Sequence, residues 1–504
     1  MPEHIKALIV ILLIAGAVFA LARNFAFALG DTAFKVQRNQ WLMLTAIGFL
    51  AHNYWLYVIC GVVVLAYYSQ RTTNKVALFF VLLLAMPPVD IEIGGFGLIN
   101  YFFAINHVRL LELALLLPVF VRLLKVPHES NSVSKLADWA LASFLIVFLA
   151  LTLRDTSVTD FLRQCFYLFI DIVLPYYVIS RSIRSVEDFR HALLAMVVAA
   201  MLLAGICIFE AAKHWHLYRA ASAAIGIPLD TLSIVERGGV LRAMGSTTHP
   251  IVAGYVLVAG LGFFLFVHRA AGKVVQRIAV LLLIIGLIAP LSRGPWIGAF
   301  VLWVVFLVTG RNALKRLAVL SIACVLGLGV LSALPGGNKI IDLLPFIGEV
   351  DKENIDYRVQ MIDSAQAVID RHPWFGSPDF AVTPEMQAMR QGRGIIDIVN
   401  SYLLMALQIG YVGVGLFAGF FLIVGWGVFG TLKRFAPMDS EEHLLGRSLL
   451  ATLVAVMLII FTVSPISVIP IFYWSISGLC VAYIRLCRRP ERNVGYAAPQ
   501  IQTV

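Results

Sequence analysis

Long apolar runs, separated by short polar segments, alternate along the whole 504-residue chain. Each run is roughly 15 to 25 residues long, the length with which an α-helix crosses about 30 Å of hydrocarbon. The pattern predicts an all-α polytopic membrane protein, an irregular helical bundle with about fourteen transmembrane helices. The predicted spans begin near residues 6, 41, 76, 108, 136, 161, 191, 249, 278, 295, 317, 400, 448 and 468.

The composition agrees with this class, because 60% of the residues are hydrophobic and only 13% are charged. Basic residues cluster after the even-numbered predicted spans. The positive-inside rule therefore places these clusters, and both termini, in the cytoplasm. The clusters are Arg71/Lys75, Arg122/Lys125/Lys135, Arg181/Arg184/Arg190, Arg269/Lys273/Arg277, Arg311/Lys315/Arg316, Lys433/Arg434/Arg447 and Arg485/Arg488/Arg489/Arg492.

Two polar segments on the predicted outer side are long enough to hold a functional site. The first spans residues 212–248, and the second, residues 335–398, carries 16 charges in 64 residues. The predicted organisation is helices 1–11 within 1–334, a capping loop at 335–398, helices 12–14 within 399–486, and a cytoplasmic tail at 487–504. Tyr357–Asp370 is predicted to form an amphipathic helix of this cap, with one apolar face made of Val359, Ile362, Ala365 and Ile369.

Several chemistries find no support in the sequence. The six cysteines are scattered, which predicts neither disulfides nor structural zinc. Asp90 and Glu92 lack a third ligand nearby, so we predict no metal site and no cofactor. No phosphate-binding glycine loop is present, and no polybasic run indicates a nucleic-acid partner.

One arginine stands out in the apolar part of the chain. Between Arg277 and Arg311 lie 33 residues whose single charge is Arg293, at a bend bounded by Pro290 and Pro295. An isolated charge at such a bend indicates an anionic partner, and the planar fork of arginine suits phosphate. The alternative for any outer arginine is that it snorkels to lipid headgroups or pairs with a local acid.

The residues around Arg293 resemble a known family. Leu291-Ser-Arg-Gly-Pro-Trp-Ile-Gly298 is similar to the signature helix of the O-antigen ligase and Wzy-type polysaccharide polymerase superfamily. The order of three further segments also fits: Arg242-Ala-Met-Gly-Ser-Thr-Thr-His-Pro250, Arg371-His-Pro-Trp-Phe-Gly376, and Asn400-Ser-Tyr-Leu403 leading into Gly410-Tyr-Val-Gly413. The resemblance covers residues 237 to 420 at most.

The resemblance implies a GT-C-like, inverting and metal-independent glycosyltransferase of the bacterial inner membrane. Its substrate would be a glycan on undecaprenyl pyrophosphate at the periplasmic face, and its other partners would be membrane lipids and assembly proteins such as a chain-length regulator. Arg293 and Arg242 are the first candidates for binding the pyrophosphate, supported by Arg358 and Arg163. Fixed arginines can stabilise the charge that builds on a leaving pyrophosphate.

The general base is less clear, because this sequence departs from the pattern. Ligases of the family carry a histidine directly before the residue corresponding to Asn400, and here that position is Val399. Asp397 is the first candidate, since Asp397-Ile-Val-Asn400 resembles exopolysaccharide polymerases, and His372 is the second. Asp397 could instead cap the following helix or pair with Arg393.

The remaining candidates concern sugar binding and the class of function. His249, Asn400 and Tyr402 could contact sugar, although aromatic residues at this level often belong to the membrane-interface belt. The missing histidine favours a polymerase of oligosaccharide repeats over an O-antigen ligase. A transporter of the lipid-linked glycan is an alternative of another class, although no internal repeat supports it. A scaffold that binds the glycan without catalysis is a further one.

Overall fold

A computed structural model shows an all-α membrane protein, as predicted. It describes residues 1–26, 31–70, 72, 74–97, 99–126, 131–154, 156–226, 235–237, 239–333, 352–391 and 394–488. Parts of the predicted cap (335–351 and 392–393) and nearly all of the predicted tail (489–504) lie outside the described residues. Two small antiparallel hairpins accompany the helices: β1 (Ile91–Gly94) with β2 (Tyr101–Ile105), and β3 (Glu236–Arg237) with β4 (Val240–Leu241).

Twenty α-helices are described. In chain order they are α1 (Glu3–Ala26), α2 (Asp31–Leu50), α3 (Tyr54–Ser69), α4 (Lys75–Leu82), α5 (His107–Leu111), α6 (Leu117–Leu124), α7 (Ser132–Thr152), α8 (Val158–Leu168), α9 (Leu174–Ser182), α10 (Val186–Lys213), α11 (Leu217–Ala224), α12 (Pro250–Val267), α13 (Lys273–Ile288), α14 (Arg293–Val308), α15 (Ala313–Ala333), α16 (Lys352–Arg371), α17 (Pro384–Ala388), α18 (Ser401–Phe435), α19 (Glu441–Ile459) and α20 (Ile469–Cys487). One π-helical turn joins α5 to α6 (Glu112–Leu116), and another joins α8 to α9 (Phe169–Val173).

Among the described residues, eight helical segments are long and apolar enough to cross a membrane, and two shorter apolar helices accompany them. The eight are Glu3–Phe25, Ser132–Thr152, Val158–Ser182, Val186–Lys213, Pro250–Ala270, Ser401–Phe435, Glu441–Thr462 and Ile469–Cys487. Tyr54–Ser69 and Arg293–Val308 are the shorter pair. The predicted multi-pass architecture is therefore confirmed, while the total of fourteen spans stays a prediction.

Two details of the predicted spans differ in the structure. The long second run, predicted as one span from residue 41, is two helices, α2 and α3, because Asn53 caps a new helix by accepting the N–H groups of Trp55 and Leu56. The third span is only the eight-residue α4, which ends ahead of Pro87 and leads into the β1–β2 hairpin.

Helices α10 and α12 form the centre of the bundle. Helix α12 and the central part of α10 are hydrophobic on all sides and almost all buried, as expected of helices surrounded by other helices. Gly260 of α12 lies against Ala200 of α10, and Gly286 of α13 lies against Ala204. These glycines let the backbones approach closely, which is how membrane helices gain packing energy.

The cap helix α16 forms where an amphipathic helix was predicted, but its buried face is rotated. Ala365 and Ile369 are buried as predicted, together with Met361 and Val368. Val359 and Ile362, predicted on the same face, are 53% and 49% exposed. The difference arises because α16 packs on a second, smaller core that includes α17 and the first turns of α18.

Helix α18 is broken at Gly410, whose φ of 67° and ψ of −172° are non-helical. The break frees backbone N–H groups, and the turn after α16 satisfies them: Tyr411 N–H donates to the Pro373 carbonyl at 2.7 Å and Val412 N–H to the Trp374 carbonyl at 3.2 Å. A Cβ atom at Gly410 would overlap the main chain of Trp374. The predicted Gly-x-x-Gly motif therefore begins at the point where the cap is attached to α18.

Candidate active site

The turn that precedes α14 is held by a buried arginine from another segment. Arg242 is 9% exposed, and its guanidinium donates to the Pro290 carbonyl at 3.1 Å and to Ser292 Oγ at 2.9 Å. Leu291, between them, has a φ of 48°, which a branched side chain seldom adopts. Arg293 follows directly as the first residue of α14. Arg242 thus fixes the bend that carries Arg293.

The segment of Arg242 is positioned by a buried glutamate of α10. Glu210 Oε2 accepts the N–H groups of Met244 at 3.0 Å and Gly245 at 2.9 Å, and Oε1 accepts that of Leu217 at 3.0 Å. A buried carboxylate is stable when backbone donors satisfy it in this way. Glu210 therefore holds the loop between α11 and α12 against the core, so that the chain reaches Arg242 in a defined position.

Two further arginines approach the same turn. Arg237 of β3 donates a hydrogen bond to the Leu291 carbonyl, and its charge also acts on Arg358 of α16. Burial lowers the pKa of the Arg358 guanidinium, the charge of Arg237 lowers it further, and Asp397 opposes both effects. Like charges gathered at a half-buried place indicate an anionic ligand.

Asp397 lies beside Arg358, at the edge of this basic cluster. Burial raises the pKa of the Asp397 carboxyl, while the charge of Arg358 and the neighbouring hydroxyl of Ser464 lower it in part. The hydroxyl of Tyr357, next to Arg358 in α16, donates to the Asp397 carbonyl at 3.2 Å. The cap helix thereby holds both the arginine and the main chain of the acid.

The connection between α19 and α20 contacts both the start of α14 and the segment of Asp397. Gly294 of α14 lies against Thr462, where a Cβ atom would overlap the threonine hydroxyl. Two residues further on, Ser464 Oγ donates to the Ile398 carbonyl at 2.7 Å. Gly294, directly after Arg293, and Ile398, directly after Asp397, therefore contact the same short segment.

His249 caps α12 and carries a defined tautomer. The N–H of Ile251 donates to His249 Nδ1 at 3.2 Å, so in the neutral ring the proton is on Nε2. Burial and the nearby charge of Arg242 lower the pKa of His249 to about 4. The side chain is therefore a neutral donor at pH 7, able to bond to a phosphate or sugar oxygen but unable to accept a proton at Nε2.

Asn400 caps α18, since its Oδ1 accepts the N–H groups of Tyr402 at 3.0 Å and Leu403 at 3.2 Å. The capping role considered for Asp397 thus belongs to Asn400. Arg393, the other alternative partner of Asp397, lies outside the described residues.

Three predicted site residues, Arg163, Tyr402 and His372, lie apart from the arginine cluster. Arg163 donates to the carbonyls of Phe102 and Tyr101, pairs with Asp160, and stacks on the Tyr101 ring at 3.7 Å. Tyr402 stacks on Phe461 at 4.1 Å, and its hydroxyl donates to the Met457 carbonyl at 3.1 Å.

His372 is exposed just after α16. It is fourteen residues from Arg358, about 20 Å along a helix at 1.5 Å per residue. The structure therefore does not bring His372 to Asp397.

Sequence reasoning missed four residues that shape the site. Glu210 looked like an ordinary helix-end acid, and Ser292 and Ser464 carry no signal of their own. Arg237 was visible as one of many outer arginines, and only its contact with the Leu291 carbonyl distinguishes it.

One family model matches part of the chain. Residues 278–418, which are 141 of the 504 residues, match the family model Wzy_C, described as O-antigen ligase. The matched part contains Arg293, Arg358 and Asp397, whereas Arg242 and His249 precede it. The match supports the predicted superfamily and, with it, a membrane enzyme of the ligase or polymerase type that acts on lipid-linked polysaccharide. A search of curated proteins finds no match to this chain.

Proposed function

We propose that this protein polymerises oligosaccharide repeat units carried on undecaprenyl pyrophosphate, as an inverting glycosyltransferase at the periplasmic face of the inner membrane. The observation that carries the proposal is that Arg237 and Arg242 both bind the turn from which Arg293 starts, while Arg358 lies within electrostatic reach of Arg237 and of Asp397. Four cations from three separate parts of the chain suit a doubly charged pyrophosphate.

The start of α14 adds to the binding of an anion. The first N–H groups of a helix lack intrahelical acceptors, and the helix dipole is positive at this end. Ser292, the N-cap, makes no side-chain hydrogen bond to these N–H groups in the described structure. The positive end of the α14 dipole therefore lies at the turn that carries Arg293, and it adds to the attraction of an anion.

The proposed reaction divides the work between the acid and the arginines. Asp397 takes the proton from an acceptor sugar hydroxyl as its oxygen forms a bond to the anomeric carbon. The bond from that carbon to the pyrophosphate oxygen breaks, and the pyrophosphate leaves with the electron pair. The arginines stabilise the developing charge. A raised pKa makes the Asp397 carboxylate a stronger base than a solvated aspartate.

The distribution of charge favours the periplasmic orientation. Helices α10 and α19 each have one end near the site, marked by Glu210 and Thr462. At their other ends, Arg190 pairs with Glu441 within the basic clusters predicted to be cytoplasmic. Under the positive-inside rule, the site then faces outwards.

A ligase is the second candidate, favoured by the description of the matched family. A deletion strain distinguishes the two. Loss of a polymerase leaves single repeat units on the carrier, whereas loss of a ligase leaves polymer on the carrier. Accumulation of carrier-linked polymer in the deletion strain would replace our proposal with the ligase.

A further inference from the structure

An apolar groove opens on the lipid-facing side of the bundle between α14, α18 and α19. It encloses about 640 Å³ and is lined by residues that include Val304, Val308, Leu422, Trp426, Val454 and Met457. Leu422 and Trp426 are 72% and 76% exposed at its lip. Tyr402 and Phe461, stacked on each other, line the end of the groove nearer the candidate active site.

A second cavity continues from the other end of the groove, on the side of the basic clusters. It encloses about 620 Å³ and shares Val308, Thr309 and Phe429 with the groove. Its lining includes Lys433 and Arg434, both exposed, and His443. We call this second cavity the basic pocket.

The charges around the basic pocket favour an anion. Neither Lys433 nor Arg434 forms a salt bridge within the described part of the chain, and Lys433 instead lies over the Phe429 ring at 4.4 Å. Two of the acids that follow face other arginines, since Asp439 pairs with Arg311 and Glu441 pairs with Arg190.

The dimensions identify the kind of lipid. Along α18 the groove runs from Ala418 to Phe429, a rise of about 16 Å at 1.5 Å per residue. This equals one leaflet of a bilayer whose hydrocarbon core is about 30 Å thick. Acyl chains of that length fit, whereas a long polyprenyl chain exceeds the groove.

We propose that the groove and the basic pocket together bind an anionic phospholipid of the inner leaflet. Its acyl chains occupy the apolar groove, and its phosphate lies between Lys433 and Arg434. Basic pockets between transmembrane helices on the cytoplasmic side recognise anionic headgroups in this way. The site is separate from the glycan-transfer site and does not depend on that function.

The headgroup is tested with the full-length protein in detergent, by thermal unfolding and native mass spectrometry with phosphatidylglycerol or phosphatidylcholine. We expect phosphatidylglycerol to raise Tm more than phosphatidylcholine does. Lys433→Gln with Arg434→Gln should weaken phosphatidylglycerol binding roughly 30-fold, because each cation near an anionic lipid contributes about 1 kcal/mol, or about fivefold. Arg122→Gln with Lys125→Gln removes the same charge from another exposed cluster and should leave binding unchanged.

The groove is tested by filling it. A Cβ atom at Gly425 meets only Leu453 at 3.8 Å, and one at Gly419 meets nothing within 4 Å. Gly425→Phe should expel the bound phospholipid, and the control Gly419→Phe should retain it, because Gly425 lines the groove and Gly419 is not among its lining residues. Equal binding of the two phospholipids, equal loss in the Arg122/Lys125 variant, or displacement of phospholipid by a polyprenyl phosphate would each overturn the proposal.

Discussion

Arg242 and Ser292 are joined by a hydrogen bond of 2.9 Å although fifty residues separate them in the sequence. The bond, with a second one from Arg242 to the Pro290 carbonyl, fixes the turn from which α14 and Arg293 start. Arg242 therefore stabilises this turn in addition to carrying a positive charge. The two arginines predicted to bind pyrophosphate therefore differ in what their removal should do.

Arg293→Ala should abolish most glycan transfer with little effect on folding. Removing one charge-assisted contact costs about 1.5 to 3 kcal/mol, which corresponds to a loss of roughly 10- to 150-fold. The measurement is the rate of polymer formation by purified enzyme from carrier-linked repeat units. Arg390→Ala, at an exposed position of the cap, is the matched control and should retain activity. Full polymer yield from Arg293→Ala would contradict the proposed site.

Arg242→Gln should lose activity and also lower thermal stability. Glutamine cannot reach both the Pro290 carbonyl and Ser292 with charged donors, and the buried acceptors left behind cost roughly 1 to 3 kcal/mol. Thermal unfolding in detergent, measured beside the transfer rate, checks both effects. Ser292→Ala, which removes only one partner, should show a smaller fall in Tm. An Arg242→Gln protein with unchanged Tm would show that the turn stands without it.

Asp397→Asn should stop transfer while leaving the fold intact, because an amide cannot accept the acceptor proton. Asp379→Asn, at an exposed position of the same loop, provides the control. The transfer rate is measured at saturating carrier-linked substrate. Polymer made by a protein carrying both Asp397→Asn and His372→Ala would exclude both candidate bases.

The pH dependence of transfer should respond to Arg358. The base acts as a carboxylate, so the rate rises with pH as Asp397 loses its proton. The charge of Arg358 lowers the pKa of Asp397, and its removal in Arg358→Gln should raise that pKa. The acid side of the pH–rate profile should then move to higher pH, in addition to any fall in maximal rate. If the acid side of the pH–rate profile did not move, a group other than Asp397 would control it.

Gly410→Ala should destabilise the attachment of the cap. The φ of 67° with ψ of −172° belongs to a region that is open almost only to glycine, and strain there costs about 1 to 3 kcal/mol. The added methyl group would also push against the Trp374 main chain. Thermal unfolding and limited proteolysis of the cap measure the effect. Gly415→Ala, in the same helix with open space around it, should be neutral.

The membrane class and most helices could be predicted because hydrophobic length is a property of the sequence itself. The division into α2 and α3 at Asn53 could not be predicted. His52 and Asn53 interrupt an otherwise continuous apolar run, and only the cap geometry shows where a new helix begins. The prediction of the buried face of α16 was half wrong for a related reason. Val359 and Met361 are both apolar, and contact with the small core of the cap decides which of them is buried.

Some residues of the candidate site could likewise be predicted from the sequence, and others could not. Arg293 could be found because a lone charge in an apolar stretch is conspicuous, and Asp397 because it stands near a motif. Arg163 carried the same signal as Arg358, yet the hairpin carbonyls of Tyr101 and Phe102 bind it. Only tertiary contacts separate an arginine that supports a hairpin from one that faces the cluster.

The attachment of the cap to α18 also ties the two ends of a long stretch of chain together. Ser377 N–H donates to the Leu407 carbonyl at 2.8 Å, and Gly376 and Gly410 each lie against the main chain of the other's segment. The two glycines therefore act as one unit, and neither can be replaced alone. In related chains we expect the spacing between them to lengthen or shorten, because insertions would fall in the loop they close. The pair itself should persist together or be lost together, and so marks where such sequences are to be aligned.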